Sequence, residues 1–225
     1  MNRDSFLLKV SGDVVRNKDV VESIVADIKD LGREGFKIAL LVGGGSGLRG
    51  REMKLDNINN IEADIIGMMG TVVNALLLAA YLRSKDFSTE VFSSFNIDYI
   101  KRYNPMEVGI FFTRGGIPVL AGGTGNTGFT TDTASVLRAA ELGIPNVLKG
   151  TNVDGVYTKD PKEEDAKFID SISYIDAVKE NIGVMDKVAY TLADVHDIHI
   201  RVFNILTKGN LKKAVKGTVG TLIRR

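Results

Sequence analysis

The segment LAGGTGNTGFTTDTAS (120–135) extends the apolar run Ile117–Leu120 and contains four glycines and five threonines. Glycines let a backbone turn sharply and approach a ligand closely. Thr130 and Thr131 precede a predicted helix, 133–142, and the N-terminus of a helix attracts anions. The segment therefore predicts a strand, a loop that wraps a small ligand through backbone amides, and a helix.

Strand-like and helix-like segments alternate along the chain, which is typical of an α/β protein with a mostly parallel sheet covered on both faces. Short apolar runs predict strands, and apolar residues that recur with a period of 3.6 predict helices. The predicted strands are 6–10, 37–42, 89–92, 117–121, 146–149, 199–204 and 218–223. The predicted helices are 18–34, 65–82, 105–114, 133–142 and 211–216, with two short helices before His199. We expect one domain over residues 1–225.

Polar, glycine-rich segments follow several predicted strands. They are Ser11–Gly12, Gly43–Gly47, Gly122–Gly128 and Gly150–Asp154. The carboxyl ends of parallel strands meet at one edge of the sheet, and ligands bind there. The four segments are therefore predicted to form one ligand site.

The composition of the chain is that of an ordinary globular protein. Its 225 residues carry a net charge of +1, which gives no reason to expect binding to nucleic acid or to an acidic membrane. The absence of cysteine excludes disulfides and thiolate metal sites. The apolar run in MNRDSFLLKVSG (1–12) is too short for a signal peptide. We therefore expect a cytoplasmic protein.

The segment IIGMMGTVVNALLLAAYL (65–82) has 18 residues without a charge, long enough to be considered as a membrane span. A span would place Gly43–Gly47 and Gly122–Gly128 on opposite sides of a bilayer. If both segments serve one site, the helix must be buried in a core or a subunit interface, which is the interpretation we favour.

The segment GGGSGLRG (43–50) follows a predicted strand and contains G-x-G-x-x-G, with Asp64 19 residues after Gly45. This resembles a dinucleotide fingerprint, but REMKLDNINNIE (51–62) lacks the apolar period of a following helix. The remaining interpretation is an anion site, in which the glycine amides and the Arg49 guanidinium contact phosphate oxygens. A plain glycine-rich turn with a solvated arginine is the alternative.

Lys9 and Asp132 each allow a structural and a functional interpretation. A lysine in the apolar strand LLKV (7–10) either reaches phosphates from the strand end or extends to solvent from an edge strand. Asp132, beside a helix start, either caps that helix or belongs to the ligand site. No His, Asp and Glu cluster has metal-ligand spacing, so no protein metal site is predicted.

Taken together, seven segments resemble the uridylate kinase family of the amino-acid kinase superfamily. They are LLKVSG (7–12), VGGGSGLRG (42–50), ADIIGMMGTVVNAL (63–76), AGGTGNTGFTTDTASVLRAAELG (121–143), VLKGTNVDGVYTKDP (147–161), VMDKVA (184–189) and VFNI (202–205). The resemblance implies an open αβα sandwich with a mostly parallel sheet of about eight strands. It also implies transfer of the γ-phosphoryl group of ATP to UMP, with Mg²⁺ carried on ATP, and a homohexamer built as a trimer of dimers.

The resemblance also assigns site residues. The residues implied to contact ATP are Lys9, Val10, Ser11, Gly12, Gly45, Arg49, Thr151, Tyr157 and Asp160. Those implied to hold UMP are Gly44, Asp64, Thr124, Gly125, Asn126, Thr127, Gly128, Phe129, Thr130 and Thr131. Lys9, Arg49, Asp132 and Asp186 are implied to be catalytic, with the two acids positioning Lys9 and the metal-bound phosphates.

Two alternatives remain open within the α/β interpretation, because a fold does not fix the acceptor. One is a kinase for another small acceptor, such as a carboxylate, a carbamate or an isoprenoid phosphate. The other is a storage or regulatory protein that binds nucleotides without turnover.

Overall fold

The computed structural model describes residues 4–46, 58–159 and 163–225, and within these a nine-stranded sheet divides the molecule into two helical layers. The sheet contains β1 (Ser5–Val10), β2 (Lys37–Val42), β3 (Thr89–Ser93), β4 (Lys101–Arg102), β5 (Ile117–Ala121), β6 (Asn146–Thr151), β9 (Ser171–Ser173), β10 (His199–Asn204) and β11 (Thr221–Arg224). Its order is β4-β3-β5-β2-β1-β6-β10-β11-β9. Every pairing is parallel except β10 with β11. A separate antiparallel hairpin joins β7 (Val156–Tyr157) to β8 (Phe168–Ile169).

Helices cover both faces of this sheet. One face packs against α1 (Gly12–Arg16), α2 (Lys18–Arg33), α3 (Asn60–Arg83) and α8 (Asn210–Val215). The other packs against α4 (Pro105–Thr113), α5 (Thr131–Glu141), α6 (Tyr174–Lys179) and α7 (Lys187–His196). The buried apolar residues form one cluster on each face, so the predicted αβα sandwich is confirmed.

The elements that the sequence did not predict are short. α1, β4, β7, β8 and β9 have between two and five residues, too few to display a period. The sheet consequently has nine strands where about eight were expected. Helix α3 also begins earlier than predicted, because Asn59 and Glu62 form a capping box in which each side chain accepts from the other's backbone amide, at 2.9 and 3.1 Å.

By length and composition α3 could cross a membrane, but one side of it lies in the protein core. That side packs against β3 and β5 and buries two polar residues, Thr71 and Asn74. The opposite side is apolar and exposed; its exposed residues are Ile61, Ile65, Met69, Val73, Leu76 and Leu77. The structure thus supports the prediction that this helix packs in the protein core.

The two buried polar residues of α3 hold both glycine-rich loops. Asn74 Nδ2 donates to the carbonyl oxygens of Gly43 and Gly44, at 3.0 and 2.9 Å. Thr71 Oγ1 accepts from the amide of Gly122 at 2.7 Å. One helix therefore joins the loop after β2 to the loop after β5, which agrees with the expectation that both loops serve one site.

Glycine is required at position 12, where the start of α1 contacts Asn74 and the loop after β2. A Cβ atom at this position would lie 2.2 Å from Asn74 Nδ2 and 2.4 Å from the carbonyl oxygen of Gly44. The absence of a side chain allows the chain leaving β1 to touch the chain leaving β2, which brings the two strand ends into one site.

We expect replacement of Asn74 by leucine to lower the free energy of unfolding by about 2 kcal/mol, because Asn74 is fully buried and its removal leaves two buried carbonyl groups without a donor. Urea unfolding followed by circular dichroism measures this difference. The exposed neighbour Val73 offers a control, and Val73→Asn should change stability by less than about 0.5 kcal/mol. Equal unfolding midpoints for Asn74→Leu and the wild-type protein would contradict this role.

Candidate active site

The site is built around two lysines on adjacent strands. Lys9 of β1 and Lys149 of β6 are direct partners in the parallel register, so both side chains point to the same face of the sheet. Lys9 is only 7% exposed. Because β1 lies in the middle of the sheet, the alternative of an edge-strand lysine that extends to solvent is wrong.

Asp132 lies between the two ammonium groups. Its Oδ1 is 3.0 Å from Lys9 Nζ, and its Oδ2 accepts from Lys149 Nζ at 2.6 Å. The helix cap expected as the alternative role of Asp132 is made by Thr130, whose Oγ1 accepts from the Asp132 amide at 3.0 Å. Asp132 lies in the first turn of α5 with its carboxylate free to pair with both lysines.

The surroundings shift the pKa values of Asp132 and Lys149. Burial raises the pKa of Asp132, but the two ammonium groups outweigh burial and hold that pKa below its ordinary value. Burial lowers the pKa of Lys149, and the nearby Lys9 lowers it further, against the opposing effect of Asp132. Lys149 also donates to the carbonyl oxygen of Val184. Two cations that share one carboxylate leave positive charge facing the adjacent cavity.

Asp186, the second predicted catalytic acid, accepts hydrogen bonds from the starts of two helices. It caps α7, where its Oδ1 accepts from the Ala189 amide at 2.8 Å, and it also accepts from Thr133 Oγ1 at 2.7 Å and from the Thr130 hydroxyl. No ion pair joins it to Lys9 within the described part of the chain. Asp186 therefore ties the start of α5 to the start of α7, and so fixes Asp132 indirectly.

The loop after β5 forms a second half of the site. Gly122, Gly123, Gly125 and Gly128 all have positive φ, between 58° and 85°. The amide of Gly128 donates to Asp64 Oδ2 at 2.6 Å, which connects the end of this loop to the first turns of α3. Asp64 thereby lies beside the loop.

The loop after β2 is held by Asp13 in α1. The Asp13 carboxylate accepts from the amide and the hydroxyl of Ser46, at 2.9 and 2.6 Å, and from Arg16 at 2.7 Å. Burial raises the pKa of Asp13, but these donors outweigh it, and the pKa lies below its ordinary value. The loop is consequently fixed at its start by both α1 and α3.

A cavity of about 910 Å³ opens among these loops. The predicted site residues that line it are Lys9, Ser11, Gly44, Asp64, Thr124, Asn126, Gly128, Phe129, Thr130, Thr131, Asp132 and Thr151. Those placed elsewhere are Val10, Gly12, Gly45, Gly125, Thr127, Tyr157 and Asp186, of which Tyr157 packs its ring against Phe168 at 5.3 Å. Arg49 and Asp160 lie outside the described residues.

Sequence reasoning missed Lys149, although the signal was available. Lys149 stands at the end of an apolar strand directly before a glycine, much as Lys9 stands before Ser11–Gly12. It also missed Leu206, which lines the cavity beyond β10. The strand pairing that brings these residues together is not visible in the order of the residues.

The arrangement suits the transfer of a phosphoryl group. Buried ammonium groups stabilise charge on phosphate oxygens more strongly than solvated ones, because the surroundings screen them less. Backbone amides from glycine-rich loops approach the same space from two directions. The cavity is lined both by Thr151 and Leu206, at the ends of β6 and β10, and by Asp64 of α3, so it has room for two ligands near the lysines.

The sequence and the fold of the chain are similar to those of several known proteins. Residues 4–204 match the amino acid kinase family. The uridylate kinase of Fervidobacterium nodosum is 37% identical over 227 residues, which is 96% of this chain and 96% of that protein. The uridylate kinase of Actinobacillus pleuropneumoniae is 35% identical, with the same shares covered. The crystal structure of UMP kinase from Bacillus anthracis has a TM-score of 0.93 and 33% identity, and the match covers 98% of this chain and 96% of that chain.

Proposed function

The chain belongs to the amino acid kinase family and, within it, to the uridylate kinases, and we propose that it transfers the γ-phosphoryl group of ATP to UMP. The products are UDP and ADP, which places the reaction in pyrimidine nucleotide synthesis. The observation that carries the proposal is the pair of buried lysines on one carboxylate, at the junction between the two halves of the cavity.

Lys9 and Lys149 stabilise the negative charge of the phosphoryl group during its transfer. The transferred phosphoryl passes through a loose transition state with its charge spread over three equatorial oxygens, and catalysis is mostly alignment and charge stabilisation. Asp132 holds the two ammonium groups apart and directs them towards the transferred phosphoryl group. The lysines therefore do not have to move when negative charge develops on that group. Arg49 is proposed to add a planar fork for phosphate oxygens.

The acceptor binds on the side of α3 and the loop after β5. Asp64 accepts hydrogen bonds from ribose hydroxyls, and the loop from Thr124 to Thr131 surrounds the nucleotide with amides and hydroxyls. Gly44 and the N-terminus of α5 lie near the phosphate. The acceptor is itself a phosphate, already nucleophilic at neutral pH, and therefore the reaction needs no strong general base.

ATP binds on the opposite side, over the ends of β1 and β6. Ser11 and Gly12 offer amides to the phosphates, and Thr151 lies towards the nucleoside. The family resemblance adds Tyr157, Asp160 and Gly45 to the proposed ATP site. Lys9 belongs to both halves, because its strand ends where the two nucleotides meet.

Magnesium enters on ATP, where it neutralises charge on the β- and γ-phosphates. Among residues 4–46, 58–159 and 163–225, no three His, Asp or Glu side chains are grouped to hold a metal ion. Asp132 and Asp186 are engaged with lysines, hydroxyls and an amide. Mg²⁺ is usually bound by substrate phosphates, several waters and one or two carboxylates, and the resemblance assigns Asp132 and Asp186 to the metal-bound phosphates.

The protein is proposed to work in the cytoplasm as a homohexamer, a trimer of dimers. The exposed apolar side of α3 supports self-association, because a contiguous apolar surface of this kind usually marks an interface. Two copies that pair through the same surface would form the symmetric dimer from which such a hexamer is built.

Release of ADP from ATP and Mg²⁺, measured across UMP, CMP, dUMP, AMP and small carboxylates, tests the proposed function. We expect a strong preference for UMP. If the protein turns over only a different acceptor, it is still a kinase, but UMP is not its substrate. Binding of nucleotide without turnover on any acceptor would favour the storage or regulatory alternative.

Replacement of Asp132 by asparagine should lower kcat by on the order of 10², because both lysines lose the carboxylate that aligns them. The control is Glu107→Gln, which also removes an acid from the first turn of a helix, α4, but away from the cavity. Its kcat should match the wild-type value. Wild-type turnover in folded Asp132→Asn protein would reduce Asp132 to a structural residue.

Replacement of Asp64 by asparagine should raise the KM for UMP by about tenfold and change kcat less, since a ribose contact is made in both the ground state and the transition state. Steady-state kinetics at saturating ATP gives both constants. Glu62→Gln removes a charge two residues away, outside the cavity, and should leave the KM for UMP unchanged. An unaltered KM in Asp64→Asn protein would remove Asp64 from the acceptor site.

A further inference from the structure

Arg138 lies in the last turns of α5, behind the site, and does not line the cavity. It is only 6% exposed. One guanidinium nitrogen donates to Glu141 Oε2 at 2.7 Å. The other donates to Ser94 Oγ at 3.0 Å and to the carbonyl oxygens of Gly123 and Thr124, at 3.4 and 3.3 Å. The guanidinium thus contacts the rear of the loop that follows β5.

Tyr103 fixes the orientation of this guanidinium. The Arg138 guanidinium carbon lies 3.9 Å from the centre of the Tyr103 ring, and the Tyr103 hydroxyl donates to the same Glu141 oxygen at 2.7 Å. Burial and the Glu141 carboxylate raise the pKa of Tyr103, so its hydroxyl remains a donor at neutral pH. An aromatic face and a shared carboxylate therefore hold Arg138 in one position.

The loop that Arg138 contacts has little stiffness of its own. Gly123 and Gly125 have φ values of 58° and 84°, a region that glycine enters freely but does not prefer over others. Ser94 Oγ donates to the Gly123 carbonyl at 2.7 Å and itself accepts from Arg138. The anchored carbonyls thus select one loop conformation from many.

The front of the same loop faces the cavity, where Thr124, Asn126 and Gly128 are lining residues. We propose that Arg138, held by Tyr103 and Glu141, is a positioning residue that fixes the Gly123–Thr124 backbone and so shapes the acceptor half of the cavity. This inference rests on the proposed function. It gives α5 two tasks: its first turn presents Asp132 to the lysines, and its last turns hold the loop around the acceptor.

Arg138→Lys is the informative variant. A lysine retains the positive charge and can reach one partner, but it lacks the planar fork that contacts Glu141 and the loop carbonyls together. We expect the KM for UMP to rise by about tenfold, the size expected for loss of one charge-assisted hydrogen bond, with the KM for ATP and kcat changed less than about twofold.

Arg201→Lys is the matched control. Arg201 is another partly buried arginine that donates to two loop carbonyls, those of Val219 and Gly220, at 3.2 and 3.4 Å, but its loop does not line the active-site cavity. This control should lower stability without raising the KM for UMP. Equal increases in both KM values of Arg138→Lys, or the same UMP effect in Arg201→Lys, would overturn the proposal.

Hydrogen exchange of the ligand-free proteins provides a readout that needs no turnover. In Arg138→Lys, amides between Gly122 and Gly128 should exchange at least about tenfold faster than in wild-type protein, with Arg201→Lys unchanged there. Unchanged exchange in this loop, with normal wild-type turnover of UMP, would overturn the role of Arg138 alone. Absent wild-type turnover of UMP would instead reject the proposed function.

Discussion

The ion triad of Lys9, Asp132 and Lys149 is the constraint on which the site depends. Two like charges at paired positions of adjacent strands repel each other, and burial makes each more costly. Asp132, at the start of α5 on the same face of the sheet, pairs with both lysines and offsets much of this cost. The relative positions of β1, β6 and α5 are therefore fixed by chemistry as well as by packing. Two ammonium groups share one carboxylate, so the repulsion between them is not fully offset. A bound phosphate would relieve this repulsion.

The site is assembled by one helix from each face of the sheet. From one face, α3 reaches the loops after β2 and β5 through Asn74 and Thr71. From the other, α5 supplies Asp132 at one end and Arg138 at the other. The loops themselves are mostly glycine and would adopt many conformations alone. Their shape is set by side chains that lie behind them, on rigid elements.

The sequence predicted the elements with a clear period and the glycine-rich segments that end them. Lys9 and Asp132 stood out as candidates because a lysine in an apolar strand and an aspartate among threonines are unusual in themselves, and the family resemblance implied their catalytic roles. It could not predict that Lys149 lies beside Lys9, since β1 and β6 pair across more than a hundred residues. The contacts of Arg138 could not be predicted for the same reason, because its partners Tyr103 and Ser94 come from distant segments. Arg49 and Asp160 remain predictions outside the described residues.

The charges of the cavity also bear on the identity of the acceptor. Lys9 and Lys149 line the cavity and pair with Asp132, whereas Asp64 lines it from the first turns of α3, beside the loop after β5. The lining therefore carries positive charge in one part and negative charge in another. A molecule with an anionic phosphate at one end and a neutral, hydroxylated sugar at the other fits this gradient in one orientation. A small carboxylate would face repulsion at Asp64 and leave the ribose side unfilled. The gradient therefore favours a nucleoside monophosphate as the acceptor, in agreement with the proposed function.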